Sequence, residues 1–212
     1  EAIYATLKAN GMSDGAHIRL TLTRGEKITS GMDPRLNQSG CTLIVLAEWK
    51  APVYQNAVTL ITSSIRRNGP ANIDSKIHHN NLINNILAKI EANNAGADDA
   101  LMLDNNGFVA ETNACNIFMI KNGMVFTPNA DACLPGITRK TVITLCQQNN
   151  IPIHLKNISL TEMYNADQVF TTGTMGELTA VKMIDGRAII NRSGTDLLQH
   201  INDLFRNLTL AL

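Results

Sequence analysis

Leu134-Pro135-Gly136-Ile137-Thr138-Arg139 lies where a series of short strands gives way to a helix, and the reading of the fold turns on it. Proline and glycine break the preceding pattern, and residues 138–149 (TRKTVITLCQQN) then read as helical. The first turn of a helix offers unpaired N–H groups and the positive end of the helix dipole, so an anion is stabilised there, with the Thr138 hydroxyl as a further donor. An ordinary Pro-Gly turn with Thr138 as N-cap accounts for the same residues.

Upstream, residues 99–103, 107–111, 116–121 and 124–128 read as strands, separated by turns at Asn105-Asn106-Gly107 and Asn122-Gly123. Downstream, residues 153–155, 168–171, 179–184 and 187–190 read as strands, the last two joined by Asp185-Gly186. Residues 196–208 form a closing helix with Leu197, Ile201, Leu204 and Leu208 on one stripe. A second glycine turn, Thr171-Thr172-Gly173-Thr174-Met175-Gly176, follows a strand directly. Successive N–H groups in such a turn can form an anion nest, although a plain small-residue turn has the same composition. Neither turn carries a Walker or a dinucleotide-binding signature.

Toward the N-terminus, residues 1–10 read as a helix stopped by Asn10-Gly11, and residues 17–24 as a strand. The apolar run at residues 41–49 (CTLIVLAEW) predicts a buried strand, and residues 56–63 another. Residues 66–81 are polar and irregular, the kind of long loop that is usually functional or disordered, and they contain Lys76. Residues 82–95 form a helix, with Ile83, Ile86, Leu87 and Ile90 on one face and Gly96 beyond its end. The expected organisation is α+β: a smaller domain over residues 1–50, a connector at 51–55 around Pro52, and a larger domain over 56–212.

The 18 basic and 18 acidic residues balance, which argues against a nucleic-acid platform but leaves room for a local anion pocket. No apolar run reaches the length of a membrane span, and no charged-then-apolar leader is visible. Cys41, Cys115, Cys133 and Cys146 form no CxxC pair and read as reduced thiols of a cytoplasmic protein. His78 and His79 are adjacent, a poor chelating geometry without carboxylates nearby, so no metal is expected. Taken singly, Lys76 reads as a solvated loop lysine and Glu111 as a strand-end carboxylate.

The order of these pieces is what carries a resemblance. Lys76 precedes the helix at 82–95. Glu111-Thr112-Asn113 with Asn116-Ile117-Phe118, then Phe126-Thr127-Pro128, Leu134–Arg139 and Thr171–Gly176 follow in turn. This series closely resembles the class IV aminotransferases, fold-type-IV enzymes that use pyridoxal 5′-phosphate (PLP). The resemblance implies that Lys76 carries PLP as a Schiff base, that Glu111 pairs with its pyridine nitrogen and that Leu134 lies against the ring face. Gly136, Ile137 and Thr138 would bind phosphate; Gly173 and Thr174 would bind phosphate and, with Met175, the substrate carboxylate. Arg19 and Arg35 are candidates for that carboxylate from the smaller domain. The family implies a homodimer that moves an amino group between an amino acid, branched-chain or D-configured, and a 2-oxo acid. A 4-amino-4-deoxychorismate lyase, or a non-catalytic PLP-binding homologue, would use the same residues. Two departures stand out. Many branched-chain members have Asn-Tyr-Leu after the lysine, whereas this chain has Asn81 or Leu82 at the tyrosine's place. The family's upstream phosphate-binding arginine has no equivalent here, so the resemblance implies a small domain incomplete in this chain.

Overall fold

The computed structural model describes residues 1–51 and 56–210. The chain divides into two compact units, Glu1–Val53 and Tyr54–Leu212. The connector expected at residues 51–55 lies, beyond Ala51, outside the described residues.

In the first unit, α1 (Ala2–Ala9) precedes an antiparallel ribbon of β1 (Ala16–Thr23) and β2 (Thr42–Trp49), with Ala16 opposite Trp49 and Thr23 opposite Thr42. The long β1–β2 loop closes on Gly25: its φ is +83°, and a Cβ there would meet the Gly40 carbonyl oxygen at 1.7 Å. The expected burial of the run at 41–49 does not hold. Leu43, Ile44, Leu46 and Trp49 of β2 are exposed, because a two-stranded ribbon with one short helix has too little apolar surface to cover both faces of a strand.

The second unit is built on a nine-stranded mixed sheet. Its central strands are β3 (Val58–Thr62), β10 (Glu177–Ile184), β9 (Gln168–Gly173) and β6 (Asn116–Lys121). β4 (Asp99–Leu103) and β5 (Val109–Thr112) extend one side; β7 (Met124–Thr127) and β8 (Ile153–Leu155) extend the other; β11 (Arg187–Ala188) pairs with β10. β3 runs parallel to both β4 and β10, and β7 parallel to β8, while the remaining pairs are antiparallel. The β6–β7 hairpin turns on Asn122 and Gly123, at φ 50° and 73°, the positive values that a two-residue hairpin loop demands.

Successive side chains of a strand point to opposite faces, and β6 uses both. Ile117 and Met119 join one core cluster with Leu101, Val181 and Ile184. Phe118 and Ile120 join another with Val142 of α3 (Ile137–Gln148) and Ile201 and Phe205 of α5 (Leu197–Leu210). Phe118 stacks on Phe170, its partner across the β6–β9 ladder, with ring centroids 4.9 Å apart.

Several boundaries differ from the sequence reading. The β9–β10 ladder continues to Gly173 opposite Glu177, so the glycine turn shrinks to Thr174-Met175-Gly176. α3 starts at Ile137 with Gly136 as N-cap, so Thr138 is inside the first turn and buried rather than capping. α4 (Leu160–Tyr164), unforeseen, is opened by a capping box in which Ser159 and Glu162 satisfy each other's N–H groups. α2 (Ile83–Asn94) turns Ala88 and Ala92 against Ala100 and Met102 of β4, and leaves Ile83, Ile86, Leu87 and Ile90 between 43 % and 64 % exposed. The small side chains let the helix sit close to the sheet.

The closing stripe is graded in burial: Ile201 is fully buried and Leu208 is 42 % exposed. Ile201→Ala is therefore expected to cost about 2–5 kcal/mol in urea unfolding, and Leu208→Ala less than about 1 kcal/mol.

Candidate active site

Glu111, near the end of β5, is buried, and each of its oxygens has a partner. Oε1 lies 2.7 Å from Nη2 of Arg67 and accepts from the Leu134 N–H at 3.3 Å. Oε2 accepts from Nδ2 of Asn116 at 3.0 Å. Burial pushes the carboxyl up to about 7, against the opposing pull of Arg67, the Leu134 N–H and Arg139.

Arg67 is itself held from two sides. Its N–H donates to the Leu103 carbonyl at 2.9 Å, and Nη1 donates to Oδ1 of Asn85 on α2 at 2.9 Å. Asn85 in turn donates to the Asn113 carbonyl at 2.7 Å, and Oδ1 of Asn113 accepts from the Ala100 N–H. Glu91 of α2 accepts from the Ser63 hydroxyl and the Ser64 N–H, which ties down the start of the segment carrying Arg67.

Asn116 links the site to both glycine turns. Besides Glu111, its Nδ2 donates to the Leu134 carbonyl at 2.8 Å. A Cβ on Gly136 would fall 2.3 Å from its Oδ1, so only glycine fits there. Asn116 stands opposite Thr172 across the β6–β9 ladder, where paired side chains share a face. The next residue, Gly173, lies so close to Cys115 that a Cβ would meet Sγ at 3.0 Å. The N-terminus of α3 and the Thr174 turn are thus both registered on Cys115-Asn116. Beyond Gly136, the first helical N–H with a carbonyl partner among the described residues is that of Lys140, so those of Ile137, Thr138 and Arg139 have none there, in the way of helix starts. Thr172 Oγ1 is buried with no partner among the described residues.

Lys76 has a half-exposed side chain, with Nζ 3.9 Å from Oδ1 of Asp131. Its neighbours Ser75 and Ile77 line a cleft of about 210 Å³ together with Arg67, His79, Glu111 and Leu134. Of the residues singled out from the sequence, this cleft joins Glu111 and Leu134 beside Lys76. Gly136, Ile137 and Thr138 form the second group, against Asn116, and Gly173, Thr174 and Met175 the third, whose Gly173 packs on Cys115. Arg19, on β1 opposite Leu46, and Arg35, whose Nη2 pairs with Asp33 at 2.5 Å, belong to the first unit. Arg67 and Asn85 were not singled out; they act through partners distant in sequence and have no local motif. The cysteines are free, and burial pushes the Cys115 and Cys133 thiols up to about 12, so neither is a ready nucleophile. Among the described residues no group of His, Cys, Asp and Glu could hold a metal.

Residues 1–184 match the model of the family described as Amino-transferase class IV. The chain belongs to the class IV aminotransferases. A branched-chain-amino-acid aminotransferase-like protein of Arabidopsis thaliana is 58 % identical over 211 residues, covering 99 % of this chain; the chain spans only 38 % of that relative's length. The branched-chain aminotransferase of Thermoproteus uzoniensis, solved with norvaline, superposes with a TM-score of 0.90 at 30 % identity, over 99 % of this chain and 70 % of that one. An aminotransferase from Brucella abortus, solved bound to PLP, gives a TM-score of 0.81 at 26 % identity, over 91 % of this chain and 68 % of that one.

Two outcomes follow for a class IV chain built this way. Gly136→Ala is expected to lose about 1–3 kcal/mol of stability, and adding Asn116→Ala should cost less than the two single losses summed; urea unfolding of the three variants measures the coupling. Glu111 contributes a pH signature. Because its folded value of about 7 exceeds the ordinary 4.5, the unfolded chain releases this proton first. The stability of the parent minus that of Glu111→Gln should fall from about pH 4.5 to about pH 7 and level above it.

Proposed function

We propose that this chain carries the cofactor-binding part of a PLP-dependent aminotransferase moving an amino group between a branched-chain amino acid and a 2-oxo acid. The observation that carries the reading is one buried carboxylate, Glu111, sharing a cleft with the neighbours of Lys76 and tied through Asn116 to the segment that opens α3. The donor chemistry fits PLP. The free N–H groups at the start of α3 and the unpartnered Thr172 hydroxyl suit a phosphate dianion, and Glu111 suits a protonated ring nitrogen. The relatives, a branched-chain-amino-acid aminotransferase-like protein and a branched-chain aminotransferase, support the branched-chain class.

On this reading Lys76 would hold PLP through Nζ, and Leu134 would cover a ring face. Gly136, Ile137 and Thr138 would hold phosphate from one side, and Gly173 and Thr174 from the other. When bound, PLP supplies an electron sink for charge developing at the substrate Cα. The Lys76 amine takes and returns the proton at Cα, as general base and then acid. Glu111 keeps the proton on the ring nitrogen by opposing its charge. The substrate carboxylate would be met by the N–H groups of the Thr174-Met175 turn; Arg19 and Arg35 are candidates for it from the family resemblance. We assign residues 1–50 to the small domain and 56–212 to the PLP-binding domain. The exposed stripe Ile83, Ile86, Leu87 and Ile90 supports a homodimer, and the free thiols support a reducing, cytoplasmic setting. No helix among the described residues is long and apolar enough to cross a membrane.

The whole protein is expected to show an absorbance band near the visible edge with PLP, absent in Lys76→Ala. Amino transfer from leucine, isoleucine or valine to 2-oxoglutarate should fall by about 10²–10⁴-fold in that variant. Absence of the band in the parent overturns the reading. Pyruvate release from aminodeoxychorismate without amino transfer would reassign it as a lyase.

A further inference from the structure

Glu111 is the residue assigned above to the ring nitrogen, yet a carboxyl in so dry a place tends to keep a proton for itself. A protonated Glu111 cannot oppose a cationic ring. Something in the site must therefore weaken Glu111 as a base, and the groups facing it can be enumerated. From the loop after β3 comes Arg67, in direct contact at 2.7 Å, with side chains only 7 % and 6 % exposed. From α3 comes Arg139, whose Nη2 is instead turned to the Pro128 carbonyl at 2.8 Å. From the start of β6 come Asn116 and the Cys115 thiol, and from the segment ahead of α3 the Leu134 N–H and the Cys133 thiol, none of them cationic. Asp99 also faces Cys115, and it is paired with Lys89 at 3.2 Å. His78 and His79 line the same cleft. Among the described residues only Arg67 brings a permanent positive charge into hydrogen-bonding contact with the carboxylate.

We propose that Arg67 is a positioning residue for Glu111: its guanidinium aims the carboxylate and opposes its protonation, so that a protonated ring nitrogen presented to Glu111 retains its proton more often than it would without Arg67. The proposal rests on the PLP reading above. Asn85 completes the device, since its Oδ1 holds Nη1 of Arg67 and its Nδ2 is anchored on the Asn113 carbonyl. Without Arg67 the proton moves from the ring nitrogen to a Glu111 oxygen. Without Asn85 the charge remains but its aim is loosened.

The test uses the whole protein loaded with PLP labelled with ¹⁵N in the ring, and reads the ring-nitrogen resonance across pH. The parent should show the protonated-nitrogen shift near neutral pH. Arg67→Met should move the resonance toward the neutral ring at the same pH, a change of about tenfold or more in proton partition, while PLP remains bound. Arg67→Lys should restore most of the protonated signal, and Asn85→Ala should give an intermediate shift. Should Arg67→Met not fold, Arg67→Lys and Asn85→Ala carry the comparison. An unmoved resonance in folded, PLP-loaded Arg67→Met, or in Asn85→Ala where that is the variant available, overturns the inference and leaves the PLP reading standing. A purely structural role for Arg67 would weaken PLP binding without moving the resonance, and that outcome also overturns it. A parent that binds no PLP overturns the proposed function, and this inference falls with it.

Discussion

A buried carboxylate is the constraint around which the second unit is arranged. Taking a carboxylate out of water costs several kcal/mol unless its lone pairs and charge are answered. Glu111 is answered from three separate segments: Arg67 of the loop after β3, Asn116 at the start of β6, and the Leu134 N–H ahead of α3. Each answer fixes something else. Arg67 must stay within reach of Leu103 and Asn85, which ties the long polar loop to β4 and α2. Asn116 must lie against Gly136, which sets where α3 begins. Loss of Arg67 leaves neutral donors facing a charge they cannot balance, and loss of Asn116 leaves Oε2 without its donor.

What could be read from the sequence was what local chemistry decides. The β6–β7 hairpin was legible because Asn122-Gly123 tolerates positive φ, and its strands because apolar runs end at turn residues. Lys76, Glu111 and Leu134 were legible through the order of their motifs, and the cleft does bring Glu111 and Leu134 beside the neighbours of Lys76. The reading failed where a partner far along the chain decides. Arg67 was passed over because its carboxylate lies two strands later. The run at 41–49 looked buried because its composition is apolar, yet burial depends on how much other apolar surface the unit supplies. α4 could have been found: Ser159 followed three residues later by Glu162 is a capping box in plain view.

The same distinction explains α2. Periodicity identified the helix but not the face it turns inward. Larger side chains at Ala88 and Ala92 would hold the helix away from β4, and Asn85 would then lose its reach to both Arg67 and the Asn113 carbonyl. The small face is thus buried for the sake of the polar contacts one turn away, and the isoleucine and leucine stripe is left outward as a consequence.

Net charge is a poor guide to such a site. The 18 basic and 18 acidic residues cancel, yet the charges are not evenly placed. Around Glu111 the dry region holds Arg67 and Arg139, with the positive end of α3 adjoining. Their fields are screened little there, whereas most of the acidic residues face water, which screens them strongly. A small dianion arriving at the start of α3 would therefore meet a locally positive potential in a chain whose total charge is zero. Glu111 limits that potential by neutralising Arg67 at one end of the site, which leaves the helix N-terminus and the threonine turn to act on the anion at the other.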